Sequence, residues 1–161
     1  MVDGYSAIGM AAAIPRPAAT VILMRDGASG IEILMMKRNM KSAFVPGAYV
    51  FPGGSLDDDD GSEAAFQACG GYNDEEASRR LGLTRGGLAY WNAAIREAFE
   101  EAGVLFAYDR HGGMIALDDT DVAQRFKRHR DALNQRQLGF SDILREERLT
   151  LAQLQRNITI L

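Results

Sequence analysis

Eleven residues constrain this chain more than any others: Ala94-Ile95-Arg96-Glu97-Ala98-Phe99-Glu100-Glu101-Ala102-Gly103-Val104. Residues three or four apart share a helical face, so Glu97, Glu100 and Glu101 fall on one stripe and Arg96 can pair with Glu100. Trp91, Ile95, Ala98, Phe99 and Ala102 recur at helical spacing and form an apolar back. Gly103 suits the left-handed position past a helix end. The segment therefore predicts a helix over about 88–102 that buries one side against a sheet and carries three carboxylates. Crowding like charges this way destabilises a helix unless something cationic sits among them. A hard divalent ion with oxygen ligands answers that need; a solvated helix face is the plainer alternative.

The sheet is sought upstream. Ala18 to Met24 is rich in apolar and β-branched residues and predicts a strand. Arg25 to Gly30 reads as a turn and Ile31 to Lys37 as a second strand, giving a hairpin. A loop over 43–47 leads to a third strand, Ala48 to Phe51, broken by Pro52-Gly53-Gly54. The four aspartates Asp57 to Asp60 read as a solvated acidic loop. An EF-hand calcium loop fails there, since Leu56 and Gln67 would stand where carboxylates are required. Asp74 to Leu83 predicts a short helix with Asp74 as its cap. After Gly103, Val104 to Tyr108 predicts a strand and Asp109 to Gly113 a turn that leaves His111 in solvent. Asp121 to Leu133 and Ser141 to Glu147 predict helices opened by an Asp and a Ser.

Composition narrows the classes. At 161 residues the chain is one domain by length, with the first 17 residues reading as a loose segment. A formal charge of -4 with no basic face argues against nucleic acid as a partner. The single cysteine, Cys69, excludes an internal disulfide and a multi-cysteine zinc site, and nothing beside it suggests activation. The leading residues lack a basic region, and no apolar run approaches the ~18 residues of a membrane span, so no membrane association is expected and the cytoplasm is the default.

Two half-motifs in order, Phe51-Pro52-Gly53-Gly54 and Arg96 to Val104, resemble the Nudix hydrolase family. Its box reads Gly, five residues, Glu, seven residues, then Arg-Glu-apolar-x-Glu-Glu-x-Gly-apolar. The second half is matched here with Ala98 as a small apolar member. Between Gly54 and Arg96, however, stand 41 residues (55–95), 28 more than the box allows. Counting back from Arg96 reaches Gly82 and then puts Leu88 where the first glutamate belongs. The insertion therefore removes or relocates that glutamate. An interrupted box of this kind is similar to the branch containing the peroxisomal coenzyme A diphosphatases and their bacterial relatives. The insertion, about 55–83, is expected to fold as a lid beside the site.

The resemblance implies an α/β/α sandwich on a mixed sheet. It also implies a metal-dependent hydrolase that cleaves the pyrophosphate linkage of a small nucleoside-diphosphate derivative, coenzyme A-like by branch. The cofactor implied is Mg2+ or Mn2+, held by Glu100 and Glu101. Glu97 either ligates a second ion or takes the proton of the attacking water. Arg96 orients a glutamate rather than touching substrate. Gly53 and Gly54 let the backbone approach the metal and diphosphate, with Gly54 counted among the metal ligands. Arg38, Phe51, Gly53 and Gly54 are the candidate substrate-binding residues, Arg38 being as readily a structural salt bridge. No downstream ligand glutamate stands out.

Relatives of the interrupted-box kind continue well past the point where this chain stops, which implies a C-terminally truncated domain. A sheet lacking its later strands would open an edge to self-association as a homodimer and expose the glutamate helix around Ile95 and Phe99. The alternative to an enzyme is a catalytically weak or inactive Nudix-like module for ligand binding or interaction. The split box and Leu88 favour it; the intact Arg96-Glu97 and Glu100-Glu101 pairs oppose it.

Overall fold

A computed structural model describes residues 15–40, 45–152 and 158–160, the last three by backbone alone. The loose segment expected over 1–17 lies almost wholly outside the described residues, as do the first residues of the loop at 43–47. Alternation decides the first strand, β1 (Ala18–Gly27): Ala19, Val21 and Leu23 point into the core, as a period of two requires. It turns over Ala28 and Ser29 into β2 (Gly30–Ile33), with Met24 opposite Ile33. The single strand expected over 31–37 is broken because its two ends take different partners. Met36–Lys37 form β3, which pairs with β4 (Tyr49–Val50) rather than with β1. The glycine pair is itself a strand, β5 (Gly53–Ser55), lying antiparallel to Ala18–Thr20. Val21–Leu23 pair with the last strand, β8 (Ile158–Ile160). A separate ladder joins β6 (Ala107–Tyr108) to β7 (Thr150–Leu151). These ladders are antiparallel, and a parallel bridge links Cys69 to Leu151. With five α-helices beside them among the described residues, the fold is mixed α/β.

Three helices precede and include the glutamate segment: α1 (Glu63–Gln67), α2 (Asp74–Arg80) and α3 (Gly87–Glu97). Ser62 caps α1, accepting from the Ala65 N–H at 3.1 Å. Asp74 does not cap its own helix; Asn73 does. Asp74 instead reaches across to the N-terminus of α3, its two oxygens accepting from Gly86 N at 2.8 Å and Leu88 N at 2.9 Å. Ser78 Oγ accepts from Gly87 N at 2.8 Å. The first N–H groups of α3 lack intrahelical partners, and α2 supplies them. The insertion is therefore not a lid. Ala65, Ala77 and Ser78 are buried, and α2 packs on the helix that bears the glutamates.

Two apolar clusters meet at α3. Ala93, Ala94 and Ala98 pack with Ala19, Val21 and Leu23 of β1. Ile95 and Phe99 pack with Phe126 and Leu133 of α4 (Thr120–Asn134) and with Phe140, Ile143 and Leu144 of α5 (Phe140–Glu147). Phe99 meets Phe126 edge-on at 6.3 Å between ring centroids. The expected exposure of the glutamate helix is not found. Ile95 and Phe99 are only 3% and 1% exposed, because α4 and α5 supply the cover sought from further strands. Each such side chain contributes about 1.5–3 kcal/mol on burial. Trp91 is half-buried against the same cluster, with Tyr72 at 5.8 Å. The helix caps differ from expectation by two residues: Asp119 opens α4 and Gly139 opens α5. Among the described residues no helix is long and apolar enough to cross a membrane.

Candidate functional site

The glutamates do not stand on one continuous α-helix. α3 ends at Glu97, and Ala98–Ala102 form a wider π turn closed by Gly103 at φ 70. Gly103 and Val104 donate back to the carbonyls of Phe99 and Ala98 at 3.0 and 3.2 Å. Such turns need tertiary contacts to hold them and recur at functional sites. Here two sides hold it: Phe99 in the apolar core, and Arg130 of α4, which donates to the Glu100 and Glu101 carbonyls at 2.7 Å each.

Arg96 organises the centre of the site. Its Nε and Nη2 donate to the two oxygens of Asp60, Nη1 to Glu97 Oε1 and Glu100 Oε1, and Nη2 also to the Ser55 carbonyl, each at 2.9 Å. All five guanidinium N–H donors are thus used inside the protein, and none is left for a substrate. The side chains of Arg96 and Asp60 are 4% and 0% exposed. Burial works against the charged guanidinium, but Asp60, then Glu100 and Glu97, more than offset it and raise its pKa. Asp60 is raised by the same burial, with Arg96 pulling it back. Charge-assisted bidentate pairing with Arg96 favours the ionised form of Asp60 against that burial.

Glu101 reaches in the other direction, to β5, and Glu97 lies between Arg96 and that strand. Glu101 Oε2 accepts from the Gly53 N–H at 2.9 Å. Glu97 lies so close to Gly54 that a Cβ there would fall 2.3 Å from Glu97 Oε1, and one on Gly53 would fall 2.5 Å from the Ala19 carbonyl oxygen. The glycine pair is what lets the sheet edge meet the glutamates. Burial raises the Glu97 carboxyl above its ordinary value; Arg96 counteracts this, while the neighbouring charges of Glu100 and Glu101 add to it.

One guanidinium thus stands against three carboxylates, with Glu101 a fourth nearby. That excess of anionic oxygen suits a hard divalent cation in charge and in donor type. Among the described residues, no three ligating side chains are gathered at ion-holding spacing. Glu97 and Glu100 lie on Arg96, and Glu101 lies on Gly53. Beside Glu97 and Glu100 opens a cavity of about 610 Å³, walled by Asp57 to Asp59 on one side and Asn134, Arg136 and Gln137 on the other. Arg38 and Phe51 do not line it. Arg38 is half-buried, its N–H donating to the Ala48 carbonyl at 2.9 Å, and Phe51 is half-buried between β4 and β5.

The acidic run overturns the reading of it as a solvated loop. Asp58 to Gly61 form a 3₁₀ turn under the end of α3. Asp60 is buried on Arg96, and Asp59 accepts from Ser141 N at 2.8 Å and Ser141 Oγ at 2.5 Å, tying this turn to the start of α5. Asp57 and Asp58 alone are exposed. Counting forward from Gly54 instead of back from Arg96 would have found Asp60. It is the sixth residue on, where the Nudix box has its first acid, and the insertion follows it. Nothing beside Cys69 activates it: burial pushes its thiol up to about 11, and Sγ donates to Asn92 Oδ1 at 2.9 Å.

No family model matches the chain. It is similar to acyl-coenzyme A diphosphatase NUDT19 of Xenopus laevis, 31% identical across 50% of this chain and 27% of that protein. It is also similar to the human protein of the same name, 31% identical across 65% of this chain and 34% of that one. The chain thus spans about a third of the length of the curated relatives it matches. Among solved structures it resembles a NUDIX hydrolase from Alicyclobacillus acidocaldarius, with a TM-score of 0.57 and 28% identity over 88% of this chain and 59% of that one.

Proposed function

Because the chain belongs to the Nudix family, we propose that it is a metal-dependent pyrophosphohydrolase acting on a small nucleoside-diphosphate derivative, coenzyme A-like substrates first. One observation carries the reading. Glu97 and Glu100 on Arg96, and Glu101 on the Gly53 N–H, carry more negative charge than the one guanidinium among them neutralises. The names of the two diphosphatase relatives support the substrate class.

In this reading Glu97, Glu100 and Glu101 would hold Mg2+ or Mn2+, with the backbone of Gly54 beside them. The ion would neutralise phosphate charge and lower the pKa of the attacking water. Arg96 contributes indirectly: with every donor occupied, it fixes Glu97 and Glu100 against Asp60 and Ser55. Glu97 would either ligate a second ion or take the proton of the attacking water. The cavity between the acidic turn and the α4–α5 corner is the proposed substrate cleft, with Arg136 its exposed cation. Arg38 and Phe51 are kept as outer contacts for the nucleotide end.

A non-catalytic ligand-binding module is favoured by a different observation, the engagement of all three glutamates by protein donors. One experiment decides. The chain is incubated with Mg2+ or Mn2+ and coenzyme A, ADP-ribose, nucleotide sugars or dNTPs, and products are resolved by ion-exchange chromatography. Metal-dependent splitting of coenzyme A in preference to the others is expected. Absence of any product, together with absence of Mn2+ binding, would overturn the enzyme reading.

A further inference from the structure

The π turn that carries Glu100 and Glu101 ends with carbonyls pointing out of the helix, where they lack main-chain donors and form the negative end of its dipole. Arg130, thirty residues on and half-buried on α4, meets both. Its Nε donates to the Glu100 carbonyl and its Nη2 to the Glu101 carbonyl, each at 2.7 Å, while Nη1 lies against Gly103, 3.2 Å from where a Cβ would stand. The same two residues whose carboxylates face Arg96 and Gly53 therefore have their main chain gripped from behind by one planar fork. We propose that Arg130 is a positioning residue for the carboxylate cluster: by clamping these carbonyls it holds the π turn and fixes the directions in which the Glu100 side chain faces Arg96 and the Glu101 side chain faces Gly53. The inference rests on the reading that these glutamates hold a divalent cation.

Its consequence runs against simple electrostatics. Removing a positive charge near a cation site should tighten cation binding by lessening repulsion. Loss of a clamp should weaken it, because the ligands must then be ordered on binding. The test is Mn2+ titration by isothermal calorimetry on the full chain as wild type, Arg130→Met, Arg130→Lys and Glu101→Gln. Arg130→Met is expected to raise the Mn2+ Kd about tenfold. Arg130→Lys restores one charged donor of similar reach, so it is expected to recover part of that loss. It also keeps the charge and stem, and serves where the methionine variant fails to fold. In Arg130→Lys, amide exchange at Gly103 and Val104, whose bonds close the turn, is expected to quicken while that of α3 stays slow. Unchanged or tighter Mn2+ binding in the folded Arg130 variants, with Glu101→Gln weakened, overturns the clamp alone. Unchanged binding in Glu101→Gln overturns the metal reading beneath it.

Discussion

Asp60→Asn is the substitution that most sharply separates a structural acid from a surface one. The side chain is fully buried, accepts two bonds from Arg96 and one from the Asp57 N–H at 2.7 Å, and would be replaced by a group of equal size that cannot carry the charge. An amide nitrogen would also face a guanidinium donor, leaving one of them without an acceptor. Breaking one side of a buried ion pair costs roughly 3–5 kcal/mol. Arg96 keeps Glu97 and Glu100 as counter-charges, so the lower end applies, about 3 kcal/mol. For a domain of this size ~1 kcal/mol corresponds to about 2–4 °C, which places the melting temperature about 6–12 °C lower. Urea unfolding followed by circular dichroism measures the loss, with an unchanged denaturant slope as the check that the folded state is intact. Asp58→Asn, two residues away and exposed, is the control and should stay within about 0.5 kcal/mol. Equal, small effects of the two substitutions would refute the placement of Asp60 and return the acidic run to a solvated loop.

Other outcomes follow from the same geometry. Glu97→Gln keeps an oxygen for Arg96 but removes a charge that burial opposes. A raised folded-state pKa means this group favours folding below the ordinary carboxylate value and loses that contribution as pH rises through the raised one. The melting temperature of the variant relative to wild type should therefore rise on going from pH 5 to pH 8; a relative gain that grows on acidification would contradict this. Gly54→Ala should drive Glu97 off Arg96 and lower Mn2+ affinity more than it lowers the melting temperature, and calorimetry with normal affinity would count against the close approach. Cys69, raised from 9.0 to about 11, should present about a hundredfold less thiolate than an ordinary thiol at pH 8. Its reaction with a disulfide reagent should be correspondingly slow until the chain is unfolded; equal rates in folded and unfolded protein would disprove the burial.

Periodicity alone determined a good deal of this protein. The apolar stripe through Ile95 and Phe99 made a buried helix unavoidable, and the spacing of Arg96 and Glu100 fixed a bond that the structure contains at 2.9 Å. The strand through Val21, the hairpin after it, the glycine stop at Gly103 and the two half-motifs that resemble the Nudix box were legible because each is carried by residues close together in the chain. Tertiary structure decided the rest. Asp60 meets Arg96 across 36 residues of chain, Asp59 meets Ser141 across 82, and Arg130 grips the π turn from 30 residues away. The choice of α4 and α5 as the cover for Phe99 is of the same kind. Four aspartates in a row look alike in sequence, and nothing local says which will be buried. That is settled only when the path of the chain brings one of them against a guanidinium, where its desolvation is offset by a charge that no sequence window contains.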